Sequence, residues 1–321
     1  MPLSEFELIE RYFRACGAER ADVVLGVGDD AALLECPPDM QLVAATDTLV
    51  AGVHFPAAVP PSSIGHRALA VNLSDLAAMG ARPAWALLAL TLPQAEEAWL
   101  AEFAAGLGEL AHAERVALVG GDTTRGPLTV SVALLGHVPR GSALRRSGAR
   151  PGDLLFVSGT PGDAGAGLAL IEQRLSAADD AAAYLRERFL LPAPRVALGE
   201  RLRAHASACI DVSDGLLGDA GKLASASGVA VEIELGALPL SAALRETLGE
   251  DAARGLALTA GDDYELLFSV PPQRLAALEY ELPPERWGYR RIGVLHAGSG
   301  ATITRDGAVM EFSHSGYRHF G

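Results

Sequence analysis

Lysine is nearly absent from this chain of 321 residues, in which Lys222 is the only one. A Walker A phosphate-binding loop needs a lysine that is followed by Ser or Thr, whereas Lys222 precedes Leu223. Protein kinases of the eukaryotic type need a strand lysine and an HRD loop, and the sequence contains no HRD tripeptide. Both schemes are therefore excluded, and any bound phosphate must be met by arginines or metal ions.

Cysteine is also scarce, and long hydrophobic runs are missing. Cys16, Cys36 and Cys209 are isolated and form no CxxC pair, which argues against a disulfide framework or a zinc ribbon. The N-terminal segment has no apolar signal core. The apolar stretch Trp85 to Leu92 is far shorter than the roughly 20 residues that span a bilayer. We therefore expect no membrane association and a cytoplasmic location.

Positive charge is in the minority, since 26 Lys and Arg residues accompany 40 Asp and Glu residues and the net charge is −14. Binding to duplex nucleic acid requires clustered basic side chains, so nucleic acid is not an expected partner. Apolar residues, in contrast, make up 50% of the chain. A chain of this length and composition is typical of two folded domains.

The hydrophobic pattern predicts a mixed α/β (α+β) protein. Ser4 and Glu7 form a capping box ahead of a first helix. The predicted strands are Leu42 to Ala45, Trp85 to Leu92, Val116 to Val119, Leu128 to Val138, Leu154 to Ser158, Val229 to Leu235, Glu265 to Val270 and Arg291 to Leu295. The predicted helices cover about 63–80, 95–113, 168–173, 178–190, 195–205, 215–226 and 241–248. A Gly-, Pro- and Arg-rich linker at 139–153 predicts domains at 1–145 and 146–321.

Six short acidic motifs, most of them at the end of an apolar run, are the most informative feature of the sequence. They are GVGDDAA at 26–32, ATDTLVAGVHF at 45–55, NLSDLAAMGA at 72–81, GGDTT at 120–124, IDVSDGL at 210–216 and GDDYELLF at 261–268. Carboxylates at such positions would repel one another unless cations lay between them, and all-oxygen ligand sets suit Mg²⁺. Several Mg²⁺ ions usually accompany a polyphosphate substrate.

The first two motifs each allow more than one interpretation. Gly26 and Gly28 resemble part of a dinucleotide fingerprint, but Asp29 and Asp30 would then repel the pyrophosphate. We expect Asp30 to be a metal ligand and Asp29 to cap the following turn. Thr46 and Asp47 follow the run Leu42 to Ala45, where a strand end would present hard-ion ligands; a solvated loop aspartate is the alternative. His54 alone carries little weight.

The remaining motifs extend the same pattern. Asn72 and Asp75 lie three residues apart in an otherwise apolar helix, so Asp75 should meet an ion or a strong hydrogen-bond donor. Asp122 follows Gly120 and Gly121, whose missing side chains would allow close approach to a phosphate. Asp211 and Asp214 lie on either side of Ser213, in a motif that likewise combines acidic residues with a glycine. GDDYELLF also fits a polar turn before a buried strand.

A glycine-rich turn, GTPGDAGAG at 159–167, follows the predicted strand Leu154 to Ser158 and precedes a helix. This order can cradle an anion on backbone N–H groups. A strand-to-helix turn that simply needs flexible glycines is an equally good interpretation.

In this order and spacing the motifs resemble those of the thiamine-monophosphate kinases, in the family of ATP-dependent enzymes related to aminoimidazole ribonucleotide synthetase. The resemblance runs from GVGDDAA to the terminal SGYRHF. It implies a two-domain aminoimidazole ribonucleotide synthetase-like fold, with N-terminal domains that form a β-barrel across a homodimer. It also implies an ATP site in a cleft between the first and second domains.

The resemblance also assigns roles to residues of this chain. It implies transfer of the ATP γ-phosphate to thiamine monophosphate, with several Mg²⁺ ions and with Arg146 and Asp122 as catalytic residues. The implied metal ligands are Asp30, Ala45, Thr46, Asp47, Asp75, Asp122, Asp211 and Asp214. The implied ATP contacts are Gly121, Asp122, Arg146 and Ser213, and the implied thiamine monophosphate contacts are His54, Asp262 and Tyr317. Many relatives carry Glu at the position of Asp262, so that contact is one methylene shorter here.

Two other functions remain open. One is a ligase-like relative that uses ATP to activate an amide or another oxygen, and a panel of acceptors would separate it from a kinase. The other is a non-catalytic nucleotide-binding regulator on the same fold, which would bind ATP and Mg²⁺ without acceptor-dependent ADP release.

Overall fold

The structure, a computed structural model, describes residues 5–310, which form two compact units. The first holds the described residues up to Leu76 together with Ala81–Ser142, and the second holds Ala77–Gly80 and the described residues from Ala143 onward. Ser4 and Tyr317 lie outside the described residues. Within 5–310, no helix combines the length and the apolar character that a bilayer crossing requires.

The first unit is built around a four-stranded sheet. The elements up to Pro139 are α1 (Glu5–Leu8), a π-helical turn (Ile9–Phe13), β1 (Val23–Leu25), β2 (Leu33–Leu34), β3 (Met40–Val50), α2 (Pro61–Ala78), β4 (Arg82–Leu92), α3 (Glu97–Ala113), β5 (Ala117–Arg125) and β6 (Thr129–Pro139). The strand order is β3-β6-β4-β5, with β6 antiparallel to both neighbours. Strands β4 and β5 are parallel and are connected through α3.

Helices α2 and α3 cover one face of this sheet. The residues that α3 buries follow helical spacing: Leu100, Phe103, Leu107 and Leu110. A Cβ atom on Gly106 would lie 1.9 Å from the Ser62 carbonyl oxygen, so a glycine is required where the two helices cross. The side chains of Val130, Val132 and Leu134 on β6 are buried on the covered face. We call this the helix-covered face.

The other face of the sheet is partly open. The β1–β2 ribbon packs Val23 and Leu34 against Trp85 at one end. Further along, the side chains of Leu42 and Leu87 are 53% and 39% exposed. Over the described residues the sheet stays open and does not close into a barrel. We call this the open face.

The second unit contains a seven-stranded sheet with the order β13-β12-β9-β11-β7-β10-β8. Its strands are β7 (Leu154–Ser158), β8 (Ala208–Val212), β9 (Ala230–Glu234), β10 (Glu265–Val270), β11 (Tyr289–His296), β12 (Gly300–Arg305) and β13 (Ala308–Met310). Its helices are α4 (Asp163–Ile171), α5 (Asp179–Leu190), α6 (Val196–Leu202), α7 (Leu216–Ser227), α8 (Ala242–Leu248), α9 (Glu250–Thr259), α10 (Leu275–Glu281) and α11 (Pro284–Trp287). Only β12 and β9 pair in parallel among these strands.

Helix α7 packs across the second sheet and closes its main core. Leu216, Ala220 and Leu223 of α7 pack with sheet residues such as Ile210 and Leu267. Helices α4, α5, α8 and α9 form a separate apolar cluster. The main core fixes the start of α7 directly after β8, and this places the IDVSDGL motif at the strand-to-helix turn.

The predicted elements appear near the expected places, but several strands are longer than predicted, and β3 and β5 are the two that affect the candidate site. Thr46 and Asp47 lie inside β3, because β3 pairs with β6 over its whole length, from Met40 with Pro139 to Val50 with Thr129. Asp122 lies inside β5 for the same kind of reason, since β5 pairs with β4 up to Arg125. The prediction that these residues follow the end of a strand was therefore wrong.

Candidate active site

In the first unit, the pairing register assigns the acidic residues to different faces of the sheet. Asp47 pairs with Val132, which pairs with Leu88. Successive side chains of a strand alternate between faces, so Asp47 belongs to the helix-covered face, whose layer also contains Asp75 of α2. Asp122 pairs with Ala89, which is aligned through β6 with Thr48 of β3. Thr48 follows Asp47 directly, so Asp122 belongs to the open face. Three strand spacings of about 4.8 Å put β3 and β5 about 14 Å apart.

Asp47 is a half-buried carboxylate with a histidine close by. Burial raises its pKa, and the nearby charge of His54 lowers it in part. The Val50 N–H donates to His54 Nδ1 at 3.0 Å. In the neutral ring the proton is therefore on Nε2, which leaves Nε2–H as a donor. Only the family resemblance assigned a role to His54, and the structure places it close enough to Asp47 for its charge to lower the pKa of that carboxyl.

Asp30 and Asp122 are exposed. The Asp30 N–H donates to Asp29 Oδ1 at 2.8 Å. A capping side chain would instead accept an N–H two or three residues further along, so the capping role of Asp29 stays a prediction. The Asp122 side chain has no hydrogen-bond or ion-pair partner among the described residues. In α2, the Asn72 side chain is fully buried, and its Oδ1 has no hydrogen-bond partner among the described residues. Asp75 is half-buried rather than deeply buried.

Gly121 is explained by strand packing. A Cβ atom at this position would lie 1.9 Å from the Leu88 carbonyl oxygen. The glycine therefore lets β5 approach β4 closely, and no phosphate is needed to account for it. Ala45 and Thr46 lie beside Asp47 in β3, and Thr46 Oγ1 donates to the Val132 carbonyl at 3.1 Å.

In the second unit, the strand-to-helix turn after β8 is organised by Asp219, which the sequence did not single out. Asp219 Oδ2 accepts the N–H groups of Ser213 and Asp214, both at 3.0 Å. Lys222 Nζ donates to Asp214 Oδ2 at 2.5 Å and to Asp219 Oδ1 at 2.6 Å. Asp211 is buried in β8, 4% exposed. The spacing of Asp219 and Lys222 by three residues on a helix was the available signal.

The GDDYELLF motif lies along this turn. The Asp262 N–H donates to the Ser213 carbonyl at 2.9 Å, and the Tyr264 N–H donates to the Val212 carbonyl at 2.8 Å. Asp262 and Tyr264 have φ values of 71° and 51°, a region that costs non-glycine residues energy. The structure therefore brings Asp262 next to Ser213.

Asp263 is buried and caps the start of α4. Its Oδ2 accepts the Gly162 N–H at 2.7 Å, and its Oδ1 accepts the Ala164 N–H at 3.3 Å. Burial raises the pKa of Asp263 well above its usual range, and these two bonds offset part of the effect. Two backbone N–H groups of GTPGDAGAG thus bind a carboxylate of the protein itself, which favours the interpretation of this segment as a structural turn.

Glu265 holds the buried ion pairs of the second unit. It is fully buried, and Arg195 donates to it twice at 2.6 Å. Arg188 donates at 2.8 Å and Ser158 at 2.5 Å. Burial alone would raise the pKa of Glu265, but Arg195, then Arg188 and Ser158, lower it below its ordinary value. Arg146, in contrast, is exposed and has no ion-pair partner among the described residues.

The acidic residues fit Mg²⁺ by their donor chemistry. They offer carboxylate oxygens, and Asp47 carries a raised pKa that a nearby cation would offset. Within each unit taken alone, no three His, Cys, Asp or Glu side chains of the described residues are grouped closely enough to hold a metal ion. The ligand set Asp30, Ala45, Thr46, Asp47, Asp75, Asp122, Asp211 and Asp214 therefore remains a prediction.

Comparison with known proteins identifies the family. Residues 28–138 match the N-terminal domain model of AIR synthase related proteins, and residues 150–306 match the C-terminal domain model. The chain is 46% identical over 322 residues to the thiamine-monophosphate kinase of Salmonella typhimurium, covering 100% of this chain and 99% of that protein.

Solved structures agree with this result. The thiamine-monophosphate kinase from Stenotrophomonas maltophilia K279a is 50% identical with a TM-score of 0.87, over 97% of this chain and 99% of that one. AaThiL complexed with AMPPCP and TMP is 34% identical with a TM-score of 0.77, over 92% of each chain. The mixed α/β, two-domain prediction is confirmed, and the chain belongs to the AIR synthase related family and, within it, to the thiamine-monophosphate kinases.

Proposed function

We propose that this protein phosphorylates thiamine monophosphate with ATP to give thiamine diphosphate and ADP, a step of thiamine diphosphate biosynthesis. The observation that carries the proposal is the full-length identity of 46% to a thiamine-monophosphate kinase. The structure of a relative with 34% identity contains AMPPCP, an analogue of ATP, together with TMP, the abbreviation of thiamine monophosphate.

The chemistry needs charge neutralisation more than it needs a base. The phosphate of thiamine monophosphate has a second pKa near 6, if it behaves like other phosphomonoesters, and is mostly dianionic at neutral pH. It can attack the γ-phosphate without a general base. The barrier lies in bringing two anions together in line, which requires positioned cations.

Carboxylates of both units would hold Mg²⁺, which would supply that positive charge at the phosphate oxygens. Asp30, Asp47, Asp75 and Asp122 of the first unit are the proposed ligands there, with Ala45 and Thr46. Asp211 and Asp214 are the proposed ligands of the second unit. The exposure of Asp30 and Asp122 and the raised pKa of Asp47 support this assignment.

The chain's own donors orient the substrates. The Arg146 guanidinium is exposed and without an ion-pair partner among the described residues, so it is available for charge that develops on the transferred phosphate. Gly121, Asp122 and Ser213 are the other proposed ATP contacts. His54 Nε2–H is a donor for the acceptor phosphate, and Asp262 is a counter-charge for the thiazolium ring. Tyr317 would offer that ring an aromatic face.

A homodimer is the second part of the proposal, through a β-barrel formed by two open faces. Leu42 and Leu87 are exposed on this face, and Ala44 and Ala89 lie in the same strands. Exposed leucines on an open sheet face favour an interface there, and a second copy of the chain would cover them. Leu87→Asp should yield a monomer in sedimentation velocity at concentrations where the parent chain is dimeric, and an unchanged dimer would reject this interface.

A cytoplasmic location also stays a prediction.

The test of the activity is incubation with ATP, Mg²⁺ and thiamine monophosphate, followed by chromatography of ADP and thiamine diphosphate. Thiamine is the control acceptor. Equimolar products from the monophosphate alone support the proposal. ADP that appears only with another acceptor would favour the ligase-like alternative, and ATP binding without product would favour the non-catalytic regulator.

A further inference from the structure

The only lysine of the chain lies between two carboxylates at the start of α7. Its Nζ is 2.5 Å from Asp214 Oδ2 and 2.6 Å from Asp219 Oδ1. These two acids differ in how firmly they are held. Asp219 is 1% exposed and its second oxygen accepts two backbone N–H groups, so it cannot turn to another cation without leaving those groups unsatisfied.

Asp214 is the more exposed member of the pair. Its side chain is 38% exposed, and Lys222 is its hydrogen-bond partner among the described residues. The Lys222 side chain is itself 41% exposed. An ammonium on a flexible stem can leave one carboxylate and keep the other. The contact between Lys222 and Asp214 is therefore the one that another cation could replace at least cost.

We propose that Lys222 is a resident cation that competes with a metal ion for Asp214. The inference rests on the proposed function, in which Asp214 is a Mg²⁺ ligand. Without metal, Lys222 cancels the repulsion between Asp214 and Asp219. When a divalent ion binds Asp214, Lys222 keeps its bond to Asp219, so neither the ammonium nor the buried carboxylate loses its counter-charge.

The competition lowers metal affinity by an amount that can be measured. A unit charge and a divalent ion about 5 Å apart repel by roughly 1.7 kcal/mol in water, or about 16-fold in affinity. Salt screening reduces this effect. Removal of the ammonium should therefore tighten metal binding about fivefold at moderate ionic strength.

The test is a titration of the full-length protein with Mn²⁺ in the absence of nucleotide. The electron paramagnetic resonance signal of free Mn²⁺ measures how much of the ion is bound. Lys222→Met should bind the Asp214-dependent ion about fivefold more tightly, and Lys222→Arg should bind like the parent. Arg174→Met removes an exposed positive charge that is paired with Glu172 and should change nothing. Circular dichroism confirms that each variant is folded.

The double variant Asp214→Asn/Lys222→Met separates the possible outcomes. It should lose the gain in affinity, because the contested carboxylate is gone. Unchanged or weaker Mn²⁺ binding in folded Lys222→Met overturns the inference, and so does a gain that persists in the double variant. If Asp214→Asn alone leaves Mn²⁺ binding unaltered, Asp214 is not a ligand and that part of the proposed function fails with the inference. Product formation by the parent chain would still support the kinase activity.

Discussion

The two units treat their carboxylates differently. In the first unit, Asp30 and Asp122 are exposed, Asp122 lacks a partner among the described residues, and Asp47 is half-buried with His54 as its nearby charge. In the second unit, Glu265 is bound by arginines and Asp263 by backbone N–H groups. Similar motifs thus differ in their surroundings: these acids of the first unit keep exposed or half-buried carboxylates, whereas Glu265 and Asp263 of the second unit are bound within the fold.

The largest expected effect is on activity in the first unit. Asp47→Ala should lower turnover on the order of 10³-fold or more, because Asp47 is proposed to bind a cation that stabilises the transferred phosphate. The measurement is steady-state ADP release with thiamine monophosphate as acceptor. Normal activity in a folded variant would remove Asp47 from the metal site.

The largest expected effect on stability is in the second unit. Glu265→Ala leaves Arg188 and Arg195 without their buried counter-charge and should lower the free energy of unfolding by about 3–5 kcal/mol. Urea unfolding at pH 7 measures this change. Because its folded pKa is lowered, Glu265 stabilises the fold above its unfolded pKa and loses that contribution as the pH falls. A loss below about 1 kcal/mol would show that these ion pairs do not support the fold.

A smaller effect should follow from removal of a single hydroxyl group in the second unit. Ser241 Oγ donates to Asp163 Oδ1 at 2.6 Å and accepts the Leu244 N–H at 3.0 Å, where it caps α8. Ser241→Ala should cost about 1 kcal/mol, the usual value of an N-cap. Thermal unfolding detects it, and activity at 25 °C should stay near that of the parent. A large loss of activity would mean that this cluster belongs to the site.

The smallest expected effect has the opposite sign and lies in the first unit. Burial raises the pKa of Asp47, so its ionisation opposes folding, and the stability it contributes at low pH is lost as the pH rises through its folded pKa. Asp47→Asn cannot ionise. It should therefore raise Tm of the metal-free protein by a few degrees at pH 8 and change it little at pH 4. A lower Tm at pH 8 would contradict this account of Asp47.

The fold could be predicted because hydrophobic periodicity decided it. Leu100, Phe103, Leu107 and Leu110 are apolar at helical spacing, and such a signal survives without knowledge of the tertiary structure. The β1–β2 ribbon, β12, β13, α9, α10 and α11 were missed. All of these except α9 are at most seven residues long, and short elements give weak periodic signals. The structure divides into its two units after Ser142. The domain boundary after residue 145 stays a prediction.

The site could be predicted only in part. Motif spacing singled out the acidic residues, but it could not say which of them are already neutralised within the fold. Asp263 reaches residues about 100 positions away, at Gly162 and Ala164, and Glu265 reaches Arg188 and Arg195 across 77 and 70 positions. Such pairings depend on the sheet order, which local sequence does not encode. The contact between Lys222 and Asp219 was not predicted, although the two residues lie three apart on α7, because Lys222 fits no nucleotide-binding motif.

The most direct test of the contrast between the units is the number of Mn²⁺ ions bound in the presence of a non-hydrolysable ATP analogue. Asp47→Asn in the first unit is compared with Asp163→Asn in the second, where three hydroxyl groups, those of Thr160, Tyr184 and Ser241, already bind the buried carboxylate. We predict that Asp47→Asn binds fewer ions than the parent and that Asp163→Asn binds the same number. Equal numbers in all three proteins would contradict the assignment of the first unit's acids to metal ions.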